Sequence, residues 1–141
     1  MNLSANFTLE ELTVTSHRQF DNTPPALAIA NLTRLAGLLE KVRSIINKPV
    51  LINSGYRSKE VNDSVGSKDS SQHRLGCAAD FHIVGMTPDQ VVKAIISEKL
   101  PYDQLIREFD SWVHISVANS YYDKPRNQAL VIDKSGTRIY S

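Results

Sequence analysis

Two histidines and one aspartate stand in parts of the sequence where apolar residues would be expected. Asp80 lies in the stretch AADF (residues 78–81), and His114 lies in the stretch WVHI (residues 112–115). His73 precedes a turn that contains a glycine. A carboxylate in a strand that contributes to the core is costly unless it is paired or bound to a metal. Three such ligands leave a fourth tetrahedral position for water, which is typical of a catalytic zinc site.

Zinc lowers the pKa of a bound water towards about 7. A hydrolytic zinc site still needs a carboxylate that accepts the proton from that water. Glu108 ends a predicted strand that pairs with the strand of His114, and residues 108 and 114 have the same parity along an extended chain. Asp110 is the alternative base. His82 follows Asp80 by two positions, and we interpret it as a flanking residue. Spacing alone leaves the metal site open, since a single mid-strand histidine is more often an ordinary core residue.

The elements that must position these residues are predicted from periodicity and capping signals. Residues 8–11 form a capping box that opens a short helix, and apolar residues recur at helical spacing from Leu32 to Ile46. We expect this long helix to begin at the sequence DNTPP (residues 21–25), with a capping side chain before proline. Further helices are predicted near residues 60–65 and from residue 87. Strands are predicted at 50–53, 78–84, 104–109, 112–118, 129–133 and 137–140.

Helices come first in this order and adjacent strands come last, which predicts an α+β fold with a mostly antiparallel sheet. We expect a single domain over residues 1–141, and a monomer. The 16 basic and 15 acidic residues give a net charge of +1, which does not favour nucleic acid as a partner. No apolar run approaches the roughly 20 residues needed to span a bilayer. The first residues lack the features of a secretory signal, so we expect a protein made in the cytoplasm.

Three separated blocks of the sequence closely resemble the signature of the zinc D,D-peptidase family M15. The signature reads S-G-Y-R-S, then S-x-H-x-x-G-x-A-x-D, then W-x-H, and the matching residues here are 54–58, 71–80 and 112–114. The resemblance extends from residue 3 to about 118, and it also includes the stretches 7–12, 22–25 and 104–109. The short single-domain form found in phages, prophages and bacteria is the most similar subfamily.

The resemblance implies a hedgehog/D,D-peptidase-like fold with a zinc site on the sheet. It implies that His73, Asp80 and His114 hold Zn2+. Glu108 is then the general base and later the acid that protonates the leaving amine, and Arg57 stabilises the oxyanion formed from the scissile carbonyl.

The resemblance also implies roles for the neighbours of these residues. Ser71 and Gln72 orient His73 or contact the substrate, and Tyr56 is a candidate substrate-binding residue. One departure concerns the base. Better-known family members carry the acidic residue three positions before the last histidine, where this chain has Ser111, so Asp110 remains an alternative to Glu108.

The implied function is a zinc metallopeptidase that acts on the stem peptides of bacterial peptidoglycan, either as a D,D-carboxypeptidase, a dipeptidase or an L-alanyl-D-glutamate endopeptidase. A protein without a secretory signal would reach the wall as a phage endolysin or as a virion-associated lysin. A zinc-containing binding module without catalysis is the main alternative. A non-haem iron oxygenase is a third, but its facial triad usually begins with H-x-D. Tyr121 and Tyr122 could be either core residues or part of a groove wall.

Overall fold

Six strands form one sheet in the computed structural model, which describes residues 1–141. The strands are β1 (Leu51–Ser54), β2 (Ala78–His82), β3 (Gln104–Glu108), β4 (Trp112–Ser116), β5 (Gln128–Asp133) and β6 (Gly136–Ile139). Their spatial order is β1-β2-β4-β3-β5-β6. All neighbouring pairs are antiparallel except β3 and β5, which are parallel. The predicted α+β class with a mostly antiparallel sheet is therefore confirmed.

Four α-helices accompany the sheet, namely α1 (Leu9–Leu12), α2 (Ala26–Ile46), α3 (Lys59–Ser64) and α4 (Pro88–Ser97), and a short 3₁₀ helix spans Gln72–Leu75. Capping boxes begin α1 at Thr8 and α4 at Thr87. In each, the threonine hydroxyl accepts a hydrogen bond from the backbone N–H of the third helical residue. The side chain of that third residue, Glu11 or Gln90, accepts one from the backbone N–H of the threonine. The long helix ends at Asn47, which adopts the left-handed conformation with φ 58°. None of these helices has both the length and the apolar character that crossing a membrane requires.

The prediction of a capping side chain at the start of α2 is wrong. Pro25 is the N-cap residue, and no side chain caps the helix. Asn22 is used elsewhere instead, since its amide nitrogen donates to the carbonyls of Thr13 and Tyr56 and its oxygen accepts from the backbone N–H of Ser58. Long-range hydrogen bonding therefore overrides the local capping signal here.

The two faces of the sheet differ in composition. One face is apolar and packs with α2 and α4 into a single core, which includes Phe81 of β2, Leu105 of β3 and Ile115 of β4. The alternate residues of the same strands point to the opposite face, because successive side chains of a strand alternate. That second face carries Asp80, His114 and Glu108.

Residues 117–127 connect β4 to β5 and account for the one parallel pair. β4 is antiparallel to β3, so β4 ends beside the first residue of β3. The connection then crosses over this end of β3, and β5 begins on the other side of β3 and runs parallel to it. The backbone N–H groups of Asn127 and Gln128 donate to the carbonyls of Tyr102 and Asp103. The connection is thus held at the end of the sheet opposite to Glu108.

Candidate metal centre

Strand register brings the predicted site residues together. Asp80 pairs directly with His114 across β2 and β4, and Ser54 of β1 pairs with Asp80. On the other side of β4, Glu108 pairs with Trp112, two residues before His114. Directly opposed residues lie on the same face of a sheet, so these side chains share one surface.

His73 reaches this surface from the 3₁₀ helix rather than from a strand. Its Nδ1 lies 2.7 Å from the carbonyl oxygen of Gly55. Because a carbonyl oxygen can only accept, Nδ1 carries the proton and Nε2 keeps its lone pair. Nε2 lies 3.4 Å from Asp80 Oδ1. Burial lowers the pKa of His73, which favours the neutral imidazole that binds metals.

Asp80 is the centre of the group. Its Oδ1 lies 3.0 Å from His114 Nδ1 as well as near His73, and its Oδ2 lies 3.3 Å from Arg57 Nη2. Burial alone would raise the pKa of Asp80, but hydrogen bonding with His114 and His73 outweighs burial and holds the pKa below its ordinary value. The carboxylate is therefore ionised, as a metal ligand must be.

The donor set fits a zinc ion. One atom from each of His73, Asp80 and His114 can be chosen so that all three lie within 4.8 Å of one another, and all three residues are buried. Two ligands at the usual zinc distance and a tetrahedral angle are about 3.3 Å apart, close to the two nitrogen–oxygen distances around Asp80. Two imidazoles and one carboxylate are a common ligand set of catalytic zinc.

Glu108 lies at the edge of this group and is largely buried. Its Oε1 is 3.9 Å from His114 Nδ1, and its Oε2 accepts a hydrogen bond of 3.1 Å from the indole N–H of Trp112. Burial, and then the negative charge of Asp80, raise the pKa of Glu108 above its ordinary value. A carboxylate with a raised pKa is suited to accepting and returning a proton near neutral pH.

Asp110, the alternative base, lies elsewhere. It is exposed in the turn between β3 and β4, and its carboxylate forms an ion pair with Arg107. Arg107 also pairs with Asp89 at the start of α4, so this cluster belongs to the helix-covered side of the sheet. The structure therefore brings Glu108, and not Asp110, to the three candidate ligands.

Arg57 lies beside the candidate ligands with its guanidinium fixed at two points. Nε donates to Ser54 Oγ at 3.1 Å, and Nη2 donates to Asp80 Oδ2. The side chain is only 14% exposed. A fixed cation in a partly desolvated position can stabilise negative charge that develops on a substrate oxygen.

The three predicted substrate-contact residues have different positions. Ser71 caps the 3₁₀ helix, with its Oγ accepting from the backbone N–H of His73. Gln72 points away from the site and its amide nitrogen lies 2.7 Å from Asn119 Oδ1 and 3.0 Å from Asp103 Oδ2. Tyr56 packs with the hydrophobic core, and its role in substrate contact stays a prediction.

His82 and Cys77 lie near the site but outside the ligand group, and two other groups of the site were not predicted. His82 is exposed and its Nδ1 lies 2.6 Å from Asn53 Oδ1, outside the ligand group. Cys77 is fully buried, which raises the pKa of its thiol and keeps it unreactive. The roles of the Gly55 carbonyl and the Trp112 indole were not predicted. Trp112 could have been found, because it stands in the W-x-H block. The Gly55 carbonyl could not, because a backbone group leaves no signal in a sequence.

Comparison with known proteins adds a family and curated relatives. The family model described as Peptidase M15 matches residues 5–116. The peptidoglycan L,D-endopeptidases MepK of Escherichia coli (strain K12) and Shigella flexneri are each 39% identical to the chain over 71 residues. That segment is 47% of this chain and 36% of each relative, so the match spans about a third of the relatives' length.

Proposed function

Because the chain belongs to the peptidase M15 family, we propose that it is a zinc-dependent peptidase that cleaves a peptide bond in bacterial peptidoglycan. The observation that carries this proposal is the buried group of His73, Asp80 and His114 with Glu108 and Arg57 at its edge. A metal site that served structure alone would have no need of an adjacent, largely buried carboxylate and a fixed guanidinium.

In this proposal His73, His114 and Asp80 would hold the zinc ion, because His73 Nε2 and His114 Nδ1 both lie close to Asp80 Oδ1. When bound, zinc supplies a Lewis acid that polarises the scissile carbonyl and makes a nearby water more acidic. The Gly55 carbonyl keeps His73 in the tautomer that presents Nε2, and this kind of supporting hydrogen bond is what fixes the orientation of metal-binding histidines.

Glu108 moves the proton. Its Oε1 faces His114 and accepts a proton from the attacking water, while Oε2 stays bonded to the Trp112 indole. The raised pKa of Glu108 lets it hold this proton and then deliver it to the leaving amine nitrogen. Arg57 donates to the carbonyl oxygen as negative charge develops there.

Peptidoglycan is the proposed substrate because the curated relatives are peptidoglycan L,D-endopeptidases. We therefore favour endopeptidase action on the polymer over trimming of a free carboxyl terminus. A phage endolysin or virion-associated lysin is the setting we propose for this activity.

Mass spectrometry of the fragments released from purified peptidoglycan tests this proposal. The zinc-loaded protein should release new peptide ends whose masses identify the bond, and a chelator should abolish the release. Stoichiometric zinc without release from several wall types would favour a binding module. Activity with iron but not with zinc would favour an oxidative site.

A further inference from the structure

Two adjacent tyrosines are almost fully exposed on the connection between β4 and β5. The relative exposure of Tyr121 is 78% and that of Tyr122 is 90%. Their rings meet edge to face with centroids 5.4 Å apart. Neither hydroxyl takes part in a hydrogen bond within the protein, so folding does not account for the pair.

The tyrosines form one wall of a groove of about 480 Å³. The opposite wall is the first half of α2, where Leu27 is 72% exposed. We call this the tyrosine groove, and the lining residues that matter here are Leu27, Asn31, Arg34, Asn119, Tyr121 and Tyr122. Exposed aromatic rings thus stand beside polar side chains.

The polar side chains of the groove are held in place by hydrogen bonds, and some of their N–H groups have no acceptor within the protein. Arg34 Nη2 donates to the Ala118 carbonyl at 2.8 Å and to Asn31 Oδ1, and its other guanidinium N–H groups have no protein acceptor. Asn119 accepts from Gln72 through Oδ1, which leaves its own N–H₂ free to donate. Flat apolar rings with amide and guanidinium donors at their edge suit a sugar ring, whose faces carry C–H groups and whose rim carries hydroxyl and acetamido oxygens.

The tyrosine groove and the candidate metal centre are joined through the 3₁₀ helix that carries His73. Gln72 directly precedes His73 and bonds to Asn119, and Asn31 Nδ2 donates to the carbonyl of Leu75 at the end of the same 3₁₀ helix. From His114 to Ala118, which lies three residues before Tyr121, the chain advances four residues, or about 13 Å if it is extended throughout. Three to four extended residues of a stem peptide span about 10 to 14 Å.

We propose that the tyrosine groove binds the glycan strand of peptidoglycan, with Tyr121 and Tyr122 stacking on N-acetylated sugar rings while the stem peptide reaches the metal centre. This inference rests on the proposed function, because it takes peptidoglycan as the substrate. It adds a second contact that would place the polymer, and it makes the glycan part of what the protein recognises.

The test is a titration of the whole ¹⁵N-labelled, zinc-loaded protein with chitotetraose, a soluble β-1,4-linked tetramer of N-acetylglucosamine without peptide. We expect saturable amide shifts at residues 119–122 and in the first half of α2. Tyr121→Ala/Tyr122→Ala should weaken binding by about tenfold or more, as for other exposed aromatic anchors. Tyr121→Phe/Tyr122→Phe should bind within about twofold of wild type, because the rings remain. Val84→Ala, at an apolar side chain that is 71% exposed outside the groove, is the matched control and should bind normally.

The proposal is overturned if chitotetraose causes no shifts, if the shifts lie elsewhere, or if the double alanine variant binds as well as wild type. Tyrosine-dependent dimerisation in sedimentation, without sugar binding, would also overturn it and would assign the groove to a second copy of the chain. Because the titration needs no turnover, failure of the proposed function is seen separately, as absence of chelator-sensitive fragment release while chitotetraose still binds.

Discussion

Glu108 and Asp110 are two carboxylates of the same hairpin whose oxygens face different surroundings. Glu108 lies 3.9 Å from a candidate zinc ligand, and Asp110 is exposed and paired with Arg107. We predict that Glu108→Gln retains one zinc per chain and lowers kcat by about 10²- to 10⁴-fold, since it removes proton transfer and little else. Asp110→Asn should keep kcat close to wild type. Metal analysis and rates of fragment release check both, and the reverse order of effects would make Asp110 the base.

Trp112 acts on the same carboxylate from the other side. Its indole N–H holds Glu108 Oε2 at 3.1 Å, which leaves Oε1 directed to the site. Trp112→Phe keeps an aromatic ring but removes this N–H donor. Loss of one hydrogen bond to a charged group should lower kcat by about tenfold. We expect little change in KM.

The control for this prediction is Phe109→Leu. The rings of Phe109 and Trp112 lie 6.0 Å apart, so this variant disturbs the packing of the indole without removing its N–H. Kinetics on the polymer should show nearly normal kcat. Equal losses in the two variants would mean that Trp112 acts through packing.

At the scale of elements, the segment after β1 must approach α1 very closely. The N–H of Tyr56 donates to the carbonyl of Leu12, and a Cβ atom on Gly55 would overlap that same carbonyl. Gly55→Ala should therefore lower the free energy of unfolding by about 1 to 3 kcal/mol and weaken zinc binding, because the Gly55 carbonyl orients His73.

Gly37 provides a matched control, since it lies in the middle of α2 with open space around its Cβ position. Gly37→Ala should raise the free energy of unfolding by about 0.5 to 1 kcal/mol through the lower entropy of the unfolded chain. Urea unfolding of both variants measures the difference. Two variants of equal stability would show that the contact with α1 can relax.

The connection from β4 to β5 depends on a buried carboxylate. Burial alone would raise the pKa of Asp103, but hydrogen bonds from the Arg126 side chain and backbone and from Gln72 outweigh it, so the pKa lies below its ordinary value. The folded protein therefore binds fewer protons at this group than the unfolded chain does. Its contribution to stability is complete above the ordinary carboxyl range and is lost as the pH falls through the depressed pKa.

Asp103→Asn should accordingly destabilise the protein near pH 7, and the gap to wild type should narrow as the pH approaches 3. Urea unfolding at several pH values measures that gap. Asp123→Asn is the control, because the Asp123 carboxylate lies on the same connection and makes no hydrogen bond within the protein. A gap between wild type and Asp103→Asn that stays constant with pH would mean that the ion pair with Arg126 adds little.

For the molecule as a whole, the elements with local signals were predictable from the sequence. Thr8 and Thr87 begin helices because their capping partners lie three residues away, and the strands of Asp80 and His114 follow from short apolar runs. The resemblance supplied the ligand set, which spacing alone had left open. The structure adds the register that pairs Asp80 with His114.

What could not be predicted depends on contacts between distant parts of the chain. Asn22 is a residue type that often caps helices, but it forms hydrogen bonds with residues 13, 56 and 58 instead. Tyr56 belongs to a motif of the site yet packs in the core. Asp103 precedes a strand, and no pattern indicates that its buried carboxylate pairs with Arg126. Each outcome is decided by tertiary hydrogen bonding or burial, which outweigh local propensity.

The same long-range arrangement predicts how metal binding affects the stability of the whole fold. The three candidate ligands come from the 3₁₀ helix, β2 and β4, so a bound ion joins parts of the chain that the unfolded state does not hold together. A ligand that binds only the folded state at one hundred times its Kd adds about 2.7 kcal/mol to the free energy of unfolding. For a chain of this size that corresponds to a rise in Tm of roughly 10 °C.

Thermal unfolding with zinc and with chelator measures this rise, and His114→Ala should abolish it. His82→Ala is the matched control because His82 shares the site face but bonds to Asn53 outside the ligand group, so it should keep the full rise in Tm. Glu108→Gln should keep it as well, since Glu108 is proposed to move protons and not to hold the metal. A rise in Tm that survives His114→Ala, or that disappears with His82→Ala, would place the zinc at a different set of ligands.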